Sequence, residues 1–152
     1  GILVSGAGIA IDCVVADFIS GAAEILTPDA APGHWDIVEG QGSLAHPAFA
    51  GVTLGLVHGT QPDTLVMCHQ EGRETMRGLP DYPVPGLAEA MEMHLSAARV
   101  TNENAAFVGV SVNTSALPAA RSDAVLSRYE AQTGLPCVDP LRTGVGAIVD
   151  RL

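Results

Sequence analysis

The sequence contains no lysine: all seven basic residues among its 152 are arginines. Every mechanism that needs a lysine amine is therefore excluded within the chain, including a Schiff base, a pyridoxal phosphate anchor and the lysine of a phosphate-binding P-loop. Aromatic residues are scarce at 4%, so the core has to be assembled mainly from Val, Leu, Ile and Ala, as in folds rich in parallel strands. Cations are outnumbered, 7 against 17 acidic residues, and the net charge of −10 makes nucleic acid and anionic membrane surfaces poor partners. Cys13, Cys68 and Cys137 are odd in number, far apart and set in apolar runs without a C-x-x-C pair. That pattern fits neither a disulfide framework nor a zinc site, so buried, reduced thiols and no metal are expected. No apolar run reaches the roughly 18 residues of a membrane span, and no basic segment precedes an apolar one at the start. A soluble, cytoplasmic protein is the expectation.

What is present is 47% hydrophobic residues in a length that buries roughly 70% of its unfolded surface as one domain. Short apolar runs alternate with amphipathic stretches, which predicts an α/β fold: three layers, α/β/α, around a mainly parallel sheet, with no hairpin signal between consecutive strands. Strands are expected at Gly1 to Val4, Trp35 to Val38, Thr64 to His69, Ala106 to Val112 and Cys137-Val138. Helices are expected from Ile11 to a stop near Thr27-Pro28, over Ala48 to His58, Leu87 to Ala98 and Pro118 to Thr133, the last closed by Gly134. The glycines Gly51, Gly55 and Gly59 form a bare helical stripe, suited to tight internal packing or to a subunit contact.

In an open parallel sheet, ligands bind beyond the carboxyl ends of the strands, so the loops there carry the candidates. Gly6 and Gly8 open a helix and let backbone N–H groups approach an anion, although Ile11 stands where a dinucleotide fingerprint has its third glycine. In Glu39-Gly40-Gln41-Gly42-Ser43-Leu44-Ala45-His46-Pro47, a carboxylate at the end of an expected buried strand is followed by two glycines. Glu39 there is either a general base or metal-binding acid, or a carboxylate satisfied by loop N–H groups. Ser43 and His46 have nucleophile and base character, but the G-x-S-x-G elbow is absent. Arg73 and Arg77, four apart, would share a helical face and offer forks to a carboxylate or phosphate, or else merely balance Glu71 and Glu74. Asn113 and Thr114, just past a strand, suit the edge of an adenine or a local turn.

The strings W-D-I-V-E-G-Q-G-S-L-A-H-P from Trp35, G-V-T-L-G-L-V-H-G-T-Q-P-D from Gly51, C-H-Q-E-G-R from Cys68 and V-G-V-S-V-N-T from Val108 resemble a bacterial family long of unknown function, some of whose members are assigned as D-glutamate N-acetyltransferases. The resemblance spans nearly the whole chain. It implies a two-domain protein, a Rossmann-like domain followed by a P-loop domain similar to dethiobiotin synthetase, of which residues 1–152 match the later part only. On this reading the Rossmann-like domain and the lysine-bearing P-loop lie upstream, and the chain is a C-terminal piece that partners the rest of the protein. The implied reaction moves an acetyl group from acetyl-CoA to the amino group of D-glutamate or a similar acidic amino acid. Glu39 or His46 would then serve as base. Loop N–H groups of Gly40, Gln41, Gly42 and Ser43 would be donors, Arg73 and Arg77 would hold carboxylates, and Gly6, Gly8, Asn113 and Thr114 would bind the co-substrate. Two other readings stay open: a nucleotide-dependent ligase or kinase using ATP and Mg²⁺, and a non-catalytic binding or assembly module. A homo-oligomer is expected.

Overall fold

The structure, a computed structural model, describes Val4 and residues 6–152. The chain separates into two units, Gly1–Pro62 with Ser96–Glu103, and Asp63–Leu95 with Asn104–Leu152. The strand expected over Gly1 to Val4 lies, apart from Val4, outside the described residues.

In the first unit, 3-10 turns at Ile11–Cys13 and Ala16–Phe18 precede helix α1, Ile19–Leu26. The helix thus starts eight residues later than the apolar periodicity from Ile11 suggested. The reason is local: Val14 and Val15 stand at ψ 136° and 138°, the extended region that paired β-branched residues favour. The end is as expected, with Thr27 as C-cap immediately before Pro28. Helix α2, Ala50–Thr60, ends at Gln61 in the left-handed conformation, φ 47°. Two glycines of the stripe, Gly55 and Gly59, let α2 lie on α1, whereas Gly51 has open space around it. A Cβ at Gly59 would stand 2.2 Å from the Ser20 carbonyl oxygen, and one at Gly55 would stand 2.4 Å from Ile19 Cγ2. The expected strand Trp35 to Val38 does not form, and Ile37 is 95% exposed. An apolar run becomes a strand only beside another whose N–H and C=O groups it can pair, and among the described residues this unit has none.

The second unit holds the sheet. Strands β1, Thr64–Gln70, β4, Ala106–Asn113, and β5, Cys137–Val138, pair in parallel in the order β1-β4-β5. Two further strands, β2, Thr75–Met76, and β3, Leu79–Pro83, form a separate antiparallel ribbon turning at Arg77-Gly78, with Gly78 at φ 80°. This hairpin corrects the expectation of none. It hides in a Pro-rich stretch because prolines are tolerated where a strand lies at an edge, and both strands of a two-stranded ribbon are edges. It also removes the helix on which Arg73 and Arg77 were to share a face.

Helices α3, Leu87–Ala98, and α4, Ala119–Thr133, cover one face of the sheet, and a short α5, Gly146–Val149, meets the other. On the first face Met67, Val110, Val112 and Cys137 pack with Leu87, Val125, Leu126 and Tyr129. On the other, Val108 and Val138 meet Ile148. Val108 joins the opposite face from Val110 because the register slips between Leu65 and Val66, placing Val66 opposite Gly109. Gly134, at φ 69°, closes α4 by donating its N–H to the Glu130 carbonyl at 2.8 Å. The result is the expected α/β architecture with helices on both sides of a parallel sheet. Cys137 is buried, but Cys13 and Cys68 are exposed, against the expectation of three buried thiols, and none forms a disulfide. Cys68 alternates with Met67 on the edge strand β1 and so points away from the packed face.

Candidate functional site

Parallel strands deliver their carboxyl ends to one edge, and β1 and β4 do so here in matched register, with His69 opposite Val112 and Gln70 opposite Asn113. Alternation sends His69 to the same face as Met67, toward α4. There His69 Nε2 lies 2.9 Å from the Tyr129 hydroxyl, and the two rings meet edge to face. The backbone then turns, and Glu71, whose N–H donates to the Asn113 carbonyl at 3.2 Å, brings its carboxylate back under α4. Tyr129 donates its hydroxyl to Glu71 Oε2, and Arg128 Nη2 donates to both carboxylate oxygens at 2.8 and 3.0 Å. The Arg128 guanidinium also sits 4.7 Å from the centre of the Tyr129 ring.

These contacts set the protonation states. The Tyr129 hydroxyl, then Arg128, hold the Glu71 carboxyl below the usual range, so it is an anion that is hard to protonate. Burial pushes Tyr129 upward, and its bond to Glu71 adds to that. Burial lowers His69, opposed in part by the Glu71 charge. Because Tyr129 has one proton and gives it to Glu71, the bond from His69 requires Nε2 to be the donor, which leaves Nδ1 of the neutral ring unprotonated. No hydrogen bond to Nδ1 exists among the described residues.

This chain of four side chains forms one wall of an open cavity of about 410 Å³, completed by Gly72, Arg73, Glu74, Val84 to Leu87 and Gln132. Arg73 stands on it as an exposed cation that takes part in no salt bridge of the described residues, since Glu71 has Arg128 as its partner. Of the alternative in which Arg73 and Arg77 merely balance Glu71 and Glu74, the Glu71 half does not hold, and no salt bridge of the described residues joins either arginine to Glu74. Arg77 lies in the turn of the β2–β3 ribbon and is not part of the cavity wall. At the end of β4, Asn113 Oδ1 accepts the Ser115 N–H at 2.9 Å in a local turn. Thr114 is fully buried, donating its N–H and hydroxyl to Asp139 Oδ2 and sharing a 2.8 Å bond with Ser122.

The other sequence candidates lie in the first unit. Glu39 is exposed, on a cleft of about 280 Å³ with Asp36, Ile37, Val38, Leu56 and Thr60, so the buried strand end that made it a costly charge is not there. Gln41 gives its carbonyl to the Thr53 hydroxyl at 3.1 Å, and Gly42 lies against Phe49, while Gly40 has open space around it. Ser43 Oγ accepts the Ala45 N–H and His46 Nδ1 accepts the Ala48 N–H, so both shape the turn into α2; the His46 N–H donates to the Ser43 carbonyl at 2.9 Å, but no hydrogen bond joins their side chains. Gly6 and Gly8 adopt φ 69° and 138°, conformations glycine tolerates, and line neither cavity. Among the described residues no group of three or more His, Cys, Asp or Glu is placed to hold a metal ion, and no helix is long and apolar enough to cross a membrane.

Sequence reasoning missed Arg128, Tyr129 and the role of Glu71. The available signal was Tyr129 itself, which follows Val125 by four positions on the inner face of α4 and so brings a hydroxyl into an apolar stripe where it needs a partner.

The family described as "Domain of unknown function (DUF1611_C) P-loop domain" matches residues 1–149. Among curated proteins, the chain is 56% identical over 152 residues to a D-glutamate N-acetyltransferase of Pseudoalteromonas sp and 50% identical to one of Tritonibacter scottomollicae. In both cases the match covers 100% of this chain and 46% of the relative, so the chain spans about half the length of these proteins. A crystal structure of a DUF1611 family protein from Anabaena variabilis superposes with a TM-score of 0.87 at 33% identity, covering 99% of this chain and 44% of that one.

Proposed function

The chain belongs to the DUF1611 C-terminal P-loop domain family, and from that premise we propose that it is part of an enzyme transferring an acetyl group from acetyl-CoA to the amino group of D-glutamate. The observation that supports this reading is the match of all 152 residues to 46% of each of two D-glutamate N-acetyltransferases, at 56% and 50% identity; acetyl-CoA as the donor is our addition. The cavity at the carboxyl end of β1 is where we place the acceptor. An acidic amino acid brings two carboxylates, and Arg73 is a guanidinium on the cavity wall with no salt bridge of its own among the described residues. A charge-assisted bond from it to a substrate carboxylate is worth on the order of 1.5 to 3 kcal/mol. The N-terminal remainder of the protein would complete the donor side. Cytoplasmic location and self-association belong to the same proposal.

The test is direct. The complete protein, incubated with D-glutamate and acetyl-CoA, should yield N-acetyl-D-glutamate and free thiol in equal amounts, without added nucleotide. The P-loop in the family's description supports a second reading, a nucleotide-dependent ligase or kinase. An absolute requirement for ATP and Mg²⁺ would favour that reading and remove ours.

A further inference from the structure

We propose that His69 is the general base that accepts the proton of the acceptor's ammonium group through Nδ1, and that Tyr129 and Glu71 are positioning residues that hold it in the required tautomer. This rests on the acetyl-transfer reading above and adds to it the residue that makes the amine nucleophilic.

The geometry carries the assignment. An ammonium has no lone pair and cannot attack a thioester until it loses a proton. On the cavity wall three groups face one another in a chain, His69, Tyr129 and Glu71, with Arg128 beyond and Arg73 and Glu74 on the same wall. Glu71 takes two donors on Oε2 and one on Oε1 from Tyr129 and Arg128, so its charge is stabilised and its carboxylate is a poor proton acceptor. Tyr129 has committed its only proton to Glu71. Of these three linked groups, His69 is the one that retains an uncommitted acceptor, because the bond from Nε2 fixes the proton there and Nδ1 has no partner among the described residues. Burial and the Arg128 charge favour the neutral ring, whereas Glu71 favours the imidazolium once it forms, a balance suited to a base that must be free before the step and charged during it. The arrangement of a base oriented by a second group and a carboxylate behind it follows the general logic of oriented catalytic imidazoles.

His69 Nδ1 takes one proton from the ammonium, and the freed lone pair forms the C–N bond at the thioester carbonyl carbon. The C–S bond breaks with its electron pair on sulfur. The nitrogen gives its second proton to the departing thiolate, and His69 returns the first to solvent. The net products are the amide, the thiol and one proton.

The test uses the complete protein with D-glutamate and acetyl-CoA. His69→Gln should lower kcat by about a hundredfold or more, with KM for D-glutamate changed less than about threefold, and should abolish the acidic limb of the kcat–pH profile. Tyr129→Phe should keep that limb but move its midpoint and lower kcat by roughly tenfold. Nitrogen-15 NMR of His69 should show a protonated Nε2 and an unprotonated Nδ1 at neutral pH in the wild type, and a mixture of tautomers in Tyr129→Phe. An active wild type whose His69→Gln variant keeps kcat and the acidic limb, or a wild-type His69 protonated at Nδ1, overturns this inference and leaves the acetyl-transfer reading standing. A wild type that acetylates no D-glutamate overturns both.

Discussion

Two carboxylates close off the carboxyl end of the same parallel sheet, and they are held very differently. Asp139, just past β5, is 4% exposed; its Oδ2 accepts the Thr114 N–H and hydroxyl and its Oδ1 accepts the Leu141 N–H, with Arg142 Nε 3.8 Å away. Arg142 in turn donates to the carbonyls of Thr114 and Leu117. Every donor to Asp139 belongs to a neighbouring loop or strand end, so the group stitches β4 to β5, and it lines neither of the two cavities described above. Glu71, just past β1, has its carboxylate 16% exposed on a cavity wall, and its donors are the side chains of one helix. The same chemistry, a depressed carboxyl beside an arginine, serves to join elements in one place and to tune a histidine in the other. A shifted carboxylate by itself therefore does not mark a site; its access to a cavity and its further partners do.

Breaking the first member of the pair should cost most. Asp139→Ala strands the buried Thr114 N–H and hydroxyl and takes the acceptor from the Leu141 N–H, and the expected loss is about 3 to 5 kcal/mol of folding stability, read as a fall in the urea midpoint at constant slope. Glu71→Ala should cost about 1 to 2 kcal/mol, because Arg128 can turn to water while only Tyr129 loses a buried partner. If the two variants lose equal stability, the distinction between stitch and site is wrong.

Acid should sharpen the same contrast. Both carboxyls are held below their ordinary values, Asp139 chiefly by the Thr114 hydroxyl and Glu71 chiefly by the Tyr129 hydroxyl. Their stabilisation is complete above the unfolded range near pH 4 and is lost as pH falls through the lower folded values. His69 is also lowered, so its contribution is complete above about pH 6.5 and is lost as pH falls below that. Denaturation followed against pH should show a shallow decline beginning near 6.5 that His69→Gln removes, and a steeper one below about 4 that Asp139→Asn reduces more than Glu71→Gln.

The legibility of the sequence divides along similar lines. Strand β4 and helix α4 could be read closely because each carries a full apolar pattern between clear stops, and a parallel sheet follows from their alternation. Trp35 to Val38 misled because four apolar-rich residues state a preference for extended backbone but not the presence of a neighbour. The β2–β3 ribbon was unreadable because its prolines signal loop and its register depends on a turn at Arg77-Gly78 rather than on periodicity. Within the site, Arg73 was legible as a scarce cation past a strand end. Its freedom to meet a ligand was not, since that depends on Arg128, 57 positions from Glu71, taking the competing carboxylate. Long-range polar pairing leaves no periodic trace.

The smallest expected effect on folding belongs to Arg73, and it is the most informative for function. Arg73→Ala should change stability by less than about 0.5 kcal/mol, as for an exposed side chain outside any network. Its decisive measurement is steady-state kinetics of the complete protein with D-glutamate varied at saturating acetyl-CoA. A cavity that takes an acidic acceptor predicts that Arg73→Ala lowers kcat/KM for D-glutamate by roughly tenfold to a hundredfold, with Arg73→Lys only partly restoring it because the planar fork is lost. An unchanged kcat/KM would make Arg73 a surface charge and contradict the placement of the acceptor at the carboxyl end of β1.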